Sequence, residues 1–203
     1  MKRSGEHLAR VHVASQSEWR AWLEAHHTQP ESIWLVTYKK TSTGPHVPYA
    51  AIVEEALCFG WIDSLPRKLD QERTMLLLSP RKRGSGWSKL NKARAERLIA
   101  EGRMTEPGLA AIAAARADGS WDRLDAVDRL AIPEDLAAAL AQLPGARETF
   151  DCFPPSTRRG ILEWIAQARR AQTRAARITD TARKAALGIR ANTPRQPRRG
   201  QRT

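Results

Sequence analysis

The sequence is poor in cysteine and in long apolar runs, and each shortage excludes a class of protein. Two cysteines, Cys58 and Cys152, stand far apart among 203 residues, and the histidines lack metal-ligand spacing. Neither a disulfide framework nor a metal site is therefore indicated. No run approaches the ~18 apolar residues of a membrane-spanning helix, and the first residues lack the apolar centre of a signal peptide. We expect a soluble cytoplasmic protein without a cofactor.

Phenylalanine and tyrosine are also scarce, with three and two residues, whereas tryptophan occurs seven times. Tryptophan supplies a large apolar surface and one N–H group that needs an acceptor when it is buried. Trp61, Trp87 and Trp164 stand near cations in the sequence. Two interpretations stay open for them: they are core residues, or they form a platform on which a base or sugar stacks.

Acidic residues are few relative to basic ones, 22 against 34, which gives a formal net charge of +12. The excess is concentrated, because residues 169–203 hold eleven Lys and Arg residues with one acid, and residues 65–94 hold nine with two. Basic zones of this kind are typical of proteins that contact anionic partners. We expect the tail to make nonspecific, salt-sensitive contacts with nucleic acid, and we expect no insertion into membranes.

Hydrophobic periodicity predicts an α+β protein with a small, mostly antiparallel sheet and flanking helices, followed by an all-helical C-terminal section and a disordered basic tail. Within the sheet we expect one central strand at 32–39 and a meander of three short strands near 61–64, 67–70 and 74–78. Beyond Pro154 the apolar stripe fits one bent helix or a helical hairpin. The expected divisions are 1–14 (flexible N-terminus), 15–105 (α+β domain), 106–189 (helical section) and 190–203 (disordered basic tail).

Residues 81–88, Arg-Lys-Arg-Gly-Ser-Gly-Trp-Ser, form the strongest candidate site, and we call them the basic loop. A glycine-flanked loop that enters a helix presents backbone N–H groups that attract anions, and arginines bind oxyanions with paired donors. The spacing is neither a Walker A loop nor a dinucleotide fingerprint. Alternatively, the cations are solvated and Ser85 or Ser88 only caps the helix. The predicted ligand-binding residues are Arg81, Arg83, Ser85, Gly86, Trp87, Ser88, Asn91, Trp61 and Asp63.

Asp63 carries two further interpretations. It either forms a structural ion pair with Arg67 or Arg81, or it is part of the wall of the same pocket. If the protein is an enzyme that acts on a phosphate- or carboxylate-bearing substrate, Asp63 is the candidate general base. Cys58 lies near a helix C-terminus, where a thiol is not activated, so we expect it in the core.

The C-terminal helix carries a second group of candidate residues. Arg170, Arg174 and Arg177 have few acidic neighbours in the sequence, so we predict that they contact an anionic surface. The alternative is that they dock on the acidic segment 95–168 of the same chain.

Two stretches together resemble the YdeI/OmpD-associated family, whose name carries a link to bacteriocin protection. The first combines EEALCFGWIDS with LSPRKRGSGWSKLNKARAERLIAEGRM, and the second is FPPSTRRGILEWIAQARRAQTRAARI. The resemblance spans roughly residues 17–189 and implies a small intracellular bacterial protein linked to stress, with no reaction assigned. Its signature matches at Glu55, Cys58, Gly60, Trp61, Asp63, Arg81, Ser85, Trp87, Ser88 and Asn91, and at Arg159, Trp164, Ala168, Thr173, Arg174, Arg177 and Ile178.

We therefore favour a non-enzymatic cytoplasmic protein that binds an anionic small molecule or polymer at the basic loop. An enzyme that uses Asp63 is the first alternative. The second is a scaffold without a small ligand, in which Arg81 and Arg83 are buried in ion pairs. The sequence carries no signal for the oligomeric state.

Overall fold

A computed structural model describes residues 7–192, which fold into two compact units. The first unit extends to Asp122, and the second begins at Arg123. Strands occur in the first unit, whereas the second is helical. The predicted α+β class with a helical C-terminal section is confirmed.

A four-stranded sheet forms the centre of the first unit, with the strand order β1-β2-β4-β3. Strand β2 pairs antiparallel with β4, and β4 pairs antiparallel with β3. The sheet is nevertheless mixed, because β1 runs parallel to β2. With three residues, β1 is too short for a period-2 pattern to be recognised. The strands are β1 (Arg10–His12), β2 (Ile33–Tyr38), β3 (Trp61–Lys68) and β4 (Arg73–Pro80).

The expected meander of three short strands is wrong, because residues 61–80 form one hairpin of two eight-residue strands. The pairing of β3 with β4 shifts between Asp63 and Pro66. Proline cannot donate a ladder hydrogen bond and is tolerated at an edge strand or a bulge, and β3 is an edge strand. The polar and proline residues that seemed to separate two strands therefore mark an irregularity within one.

Residues 7–122 also contain four helices: α1 (Gln16–His26), α2 (Tyr49–Cys58), α3 (Lys89–Ala100) and α4 (Glu106–Ala117). Helix α1 begins with reciprocal caps, since the Ser15 hydroxyl accepts the Glu18 N–H and the Glu18 carboxylate accepts the Ala14 N–H. Its apolar stripe is buried at Trp19 and Leu23. Helix α2 ends before Gly60, whose φ of +72° is a left-handed conformation that favours glycine.

The main core of the first unit lies between one face of the sheet and the helices. It contains residues from β2 and β4, from α1 to α4, and from the basic loop, among them Trp19, Leu35, Leu57, Leu78, Trp87 and Leu98. The opposite face of the sheet buries a smaller group, Trp34, Val36 and Met75. Burial on both faces is why β2 reads as a continuous apolar run in the sequence.

The second unit contains five helices within the described residues: α5 (Asp125–Asp128), α6 (Glu134–Ala141), α7 (Ala146–Cys152), α8 (Pro155–Ala166) and α9 (Ala171–Ala186). Of the two arrangements expected beyond Pro154, the hairpin is present, with its break between α8 and α9. Ala191 is buried, so the described chain reaches into the predicted tail of 190–203. Residues 193–203 of that tail lie outside the described residues.

Candidate anion-binding site

The basic loop follows β4 and is fixed at both ends by hydrogen bonds. At its start, the Arg81 N–H donates to the Gly60 carbonyl at 2.9 Å. At its end, Ser88 caps α3, and its hydroxyl accepts the Asn91 N–H at 3.3 Å. Gly84 lies between them with a φ of +72°, a conformation that L-residues with side chains rarely adopt. The loop therefore has a defined turn that holds the side chains of Arg81 and Trp87 in place.

Arg81 is stacked on Trp87, with its Cζ atom 3.8 Å from the ring centroid. Its Nη1 group faces the carbonyl oxygens of Ser85 and Gly86 at 3.4 and 3.3 Å. Its Nε and Nη2 groups are buried and have no hydrogen-bond partner among residues 7–192. Burial lowers the pKa of Arg81 to about 10, and the charge of Asp63 opposes that change. The guanidinium is therefore still a cation at neutral pH, although it has lost much of its hydration.

A cavity of ≈ 260 Å³ lies beside this loop. Two more buried donors on its walls have no partner among the described residues, the indole N–H of Trp87 and the hydroxyl of Ser120. Both residues are 1% exposed. The cavity therefore combines a buried cation with other unsatisfied donors. Its lining consists of Arg81, Lys82, Arg83, Gly84, Ser85, Trp87, Ala110, Ala111, Ala114, Ala115, Asp118 and Ser120.

A carboxylate of the protein itself binds one of the backbone amides of the basic loop. Asp118, which follows α4, accepts the Gly84 N–H at 3.0 Å and the Ser120 N–H at 2.9 Å. Together with the Ser88 cap, this contact uses two of the backbone amides that the sequence suggested for an anion. The donors without partners are side-chain groups instead.

Ser120, Asp118 and the alanines of α4 line the cavity but were not among the residues predicted for the site. Asp118 and Ser120 lie at least thirty residues beyond the basic loop, and no local pattern indicates that they meet it. The weak signal that was available is the Asp-Gly-Ser-Trp sequence after α4. There, an Asp side chain accepts an N–H two residues on, as in an Asx turn.

Several predicted ligand-binding residues lie at the cavity, and others do not. Arg83 and Ser85 line it together with Arg81 and Trp87. Gly86 contributes its carbonyl to Arg81. Ser88, Asn91, Trp61 and Asp63 are not part of the lining.

The residues outside the lining have contacts of their own. The Trp61 indole donates to the His27 carbonyl at 3.0 Å in the core. Asn91 accepts a hydrogen bond from Arg94 at 3.0 Å. The Tyr49 hydroxyl donates to the Asp63 carboxylate at 2.6 Å.

Partial desolvation and this Asp63 contact raise the pKa of Tyr49 to about 12. Tyr49 therefore stays protonated at neutral pH and remains a hydrogen-bond donor to Asp63. Asp63, the candidate base, is thus hydrogen-bonded to the Tyr49 hydroxyl and does not line the cavity.

Glu55 forms a second polar centre in the first unit. Its carboxylate is buried and accepts hydrogen bonds from Gln16 at 2.6 Å, Arg20 at 2.8 Å and Arg103 at 2.8 Å. Burial alone would raise the pKa of Glu55, but the donors outweigh it and the pKa is lowered. Burial raises the pKa of the neighbouring Cys58 thiol to about 11. Each donor is matched to the carboxylate, which is the pattern of a structural network.

The arginines predicted on the C-terminal helix make contacts within the second unit. Arg174 forms two hydrogen bonds with the Asp135 carboxylate, at 2.6 and 2.9 Å. Arg177 lies over the Trp164 ring, 4.9 Å from its centroid, and donates to the Trp164 carbonyl. Arg170 immediately precedes α9 and is exposed. Arg174 therefore follows the alternative of docking on the acidic segment 95–168, because its charge is paired with Asp135 of that segment.

Comparisons with known proteins give two family matches. Residues 11–111 match a model described as "Domain of unknown function (DUF8412)". Residues 129–188 match the family "Bacteriocin-protection, YdeI or OmpD-Associated". No curated protein and no solved structure matches the chain. Within residues 7–192, no helix has the length and apolar character needed to cross a membrane.

The two matches divide the motifs between them. The first motif stretch and the basic loop fall inside the domain of unknown function. The second stretch, which includes Trp164 and Arg174, falls inside the other match. The predicted resemblance to the YdeI/OmpD-associated family is confirmed over residues 129–188, where the second stretch lies.

Proposed function

We propose that the first unit binds a small anionic ligand at the cavity beside the basic loop and catalyses no reaction on it. The observation that carries this proposal is the group of four buried donors around one cavity. They are Nε and Nη2 of Arg81, Nε1 of Trp87 and the hydroxyl of Ser120. Buried polar groups are nearly always hydrogen-bonded in folded proteins, so four such donors at one cavity suggest a ligand that accepts from them.

The energetic argument follows from burial. Each buried donor without a partner costs about 1–3 kcal/mol, and a buried cation costs more unless an anion or acceptors compensate it. An oxyanion at Arg81 would supply both the opposite charge and the acceptors. Because the four donors are shielded in this structure, the ligand must displace part of the loop to reach them. The hydrogen bond between Gly84 and Asp118 is one contact that such a movement would break.

The charge of the lining favours an anion as well. Arg81, Lys82 and Arg83 provide three cations, against the one carboxylate of Asp118. That carboxylate already accepts two backbone N–H groups, which reduces its repulsion of a second anion. Lys82 and Arg83 are exposed, so they can attract a ligand before it reaches the buried donors.

Binding is a better proposal than catalysis or a purely structural role. A base must lie within hydrogen-bond reach of its substrate, and Asp63 is outside the cavity lining. A scaffold would use Arg81 in an ion pair, whereas the Nη1 contacts of Arg81 are to carbonyl and hydroxyl oxygens. Since the matched family is described as bacteriocin-protection, we propose that binding serves a protective or stress role in the cytoplasm.

A thermal-shift experiment tests the proposal. The full chain is heated at low salt with a panel of nucleotides, sugar phosphates, carboxylates and oligonucleotides, and we expect at least one small anion to raise its Tm. The same panel is applied to Arg81→Met, which should lose the shift. Arg116→Met is the matched control, because Arg116 also lies over a tryptophan, 5.0 Å from the Trp121 centroid, but does not line the cavity. The absence of any shift with small anions would contradict the proposal.

Oligonucleotides need a separate control because of the basic tail. Deletion of residues 193–203 removes four arginines but keeps Ala191, which is buried, and Asn192, which donates to the Gly160 carbonyl. If this deletion abolishes oligonucleotide binding and leaves the response to small anions unchanged, the nucleic-acid contact belongs to the tail. If the small-anion response disappears with the tail, the cavity is not its source.

A further inference from the structure

Resting on the function proposed above, we infer that the ligand of the Arg81 cavity is a small phosphate monoester, bound by the free edge of the Arg81 guanidinium with its short carbon part against α4. The inference depends on which atoms of Arg81 lack partners. It also depends on the charge of the lining and on the nature of the opposite wall.

The two unpartnered nitrogens of Arg81 belong to one edge of the guanidinium. Nη1 is engaged with the loop carbonyls, and Nε and Nη2 have no partner in the part of the chain that the structure describes. The N–H bonds of Nε and Nη2 point in the same direction, and this edge binds two oxygens of one carboxylate or phosphate. The loop therefore leaves free the pair of donors that recognises an oxyanion in a bidentate manner.

The charge and donor count favour phosphate over carboxylate. The lining carries three cations and one carboxylate, a formal excess of two positive charges. A phosphate monoester carries −1.5 to −2 charges near neutral pH and has three terminal acceptor oxygens. Two of these oxygens can accept from Arg81, which leaves the third for Trp87 or Ser120. A carboxylate supplies one charge and two oxygens for the same donors.

The size and the far wall of the cavity restrict the rest of the molecule. A volume of ≈ 260 Å³ equals about nine water molecules at liquid density. This volume accommodates a phosphate head together with a short carbon part. Four alanines of α4 line the cavity, Ala110, Ala111, Ala114 and Ala115. Their methyl groups offer contact to carbon and no hydrogen bonds, so a short carbon chain fits better than a charged group.

Calorimetric titration of the full chain tests the ligand class with methyl phosphate, propyl phosphate, methyl sulfate and propionate. At pH 7.5 we expect methyl phosphate to bind at least tenfold more tightly than methyl sulfate or propionate. Two additional methylenes at about fourfold each should make propyl phosphate roughly fifteenfold tighter than methyl phosphate. Arg81→Lys keeps the charge but removes the bidentate edge, so it should weaken phosphate binding about tenfold or more.

The pH dependence gives an independent readout. The second pKa of a phosphate monoester is near 6, so its dianion falls about tenfold in population between pH 7.5 and pH 5.0. Methyl phosphate should therefore bind about tenfold more weakly at pH 5.0. The titratable groups of the lining are Arg81, Lys82, Arg83 and Asp118. Methyl sulfate does not titrate in this range, so any change in its affinity measures the effect of these groups and is subtracted.

The outcomes separate this inference from the proposed function. If methyl sulfate or propionate binds as tightly as methyl phosphate, and Arg81→Met abolishes that binding, the phosphate assignment is wrong while the anion site stands. If methyl phosphate binds preferentially but Arg81→Lys binds it equally well, the bidentate assignment is wrong. If no anion binds at any pH, this inference and the proposed function fail together.

Discussion

Replacement of Arg81 by methionine should leave the free energy of unfolding nearly unchanged, although Arg81 is largely buried. Burial lowers the pKa of Arg81 from its ordinary value to about 10, which corresponds to a cost of about 3 kcal/mol for the buried charge at neutral pH. The pH dependence of this cost follows from the direction of the pKa change. The folded state binds this proton more weakly than the unfolded chain, so the cost is fully present below pH 10 and is relieved as pH rises above it.

The interactions that Arg81 would lose are of similar size. Its stacking on Trp87 at 3.8 Å is worth about 1–2 kcal/mol. Its Nη1 contacts to Ser85 and Gly86, at 3.3–3.4 Å, are long and together contribute about 1 kcal/mol. Methionine keeps an apolar stem and a favourable sulfur contact with the Trp87 ring. We therefore expect Arg81→Met to change the free energy of unfolding by no more than about 1 kcal/mol.

Urea unfolding followed by far-UV circular dichroism measures this change, and Arg103→Met is the matched control. Arg103 donates to Glu55, whose side chain is 3% exposed, at 2.8 Å. Loss of one donor to that buried carboxylate should cost about 2 kcal/mol. If Arg81→Met destabilises the protein by 3 kcal/mol or more, as loss of a partner from a buried ion pair does, then Arg81 is a structural residue and the reasoning is refuted.

Three further predictions concern other parts of the first and second units. Asp118→Ala should speed hydrogen exchange at the Gly84 amide and cost about 1 kcal/mol of stability, which exchange and urea unfolding measure; an unchanged Gly84 rate would contradict the 3.0 Å contact. Because the pKa of Glu55 is lowered in the folded state, the ionised Glu55 stabilises the protein at pH values above its unfolded pKa, and this stabilisation is lost as pH falls through its folded pKa. The Tm should therefore drop over this acidic range, and it should drop less steeply in Glu55→Gln. In native protein at pH 8, iodoacetamide should modify the exposed Cys152 and spare the buried Cys58, whose pKa is raised to about 11; mass spectrometry that finds Cys58 modified first would contradict its burial.

The elements with long and regular patterns were predictable from the sequence. Helix α1 has an apolar stripe at Trp19 and Leu23 and begins at a capping serine, so local signals define both its face and its start. The elements that were missed have weak local signals. Strand β1 has three residues, and its partner strand β2 lies more than twenty residues further along the chain. In β3, Pro66 suggests a strand boundary. A sheet tolerates a proline inside a strand only at an edge or a bulge, and the sequence does not show that β3 is an edge strand.

The candidate site was predictable only on one side. Arg81 and Trp87 belong to a single motif, and the sequence identified both as ligand-binding candidates. Ser120, Asp118 and the α4 alanines come from a different region, and tertiary packing brings them to the loop. The sequence also assigned anion binding to backbone amides, because it does not show that Asp118 reaches Gly84.

Nuclear magnetic resonance of the indole N–H groups tests the central claim most directly. In full-length protein, phosphate anions should shift the Nε1–H signal of Trp87, since that group is buried and has no acceptor within residues 7–192. The indoles of Trp19 and Trp61 serve as internal controls, because they already donate to the carbonyls of Ile52 and His27 at 3.0 Å. A saturable shift at Trp87 that is absent at the two control indoles is the predicted result. A Trp87 signal that stays constant while the anion concentration rises, or that moves no more than the controls, would contradict the account.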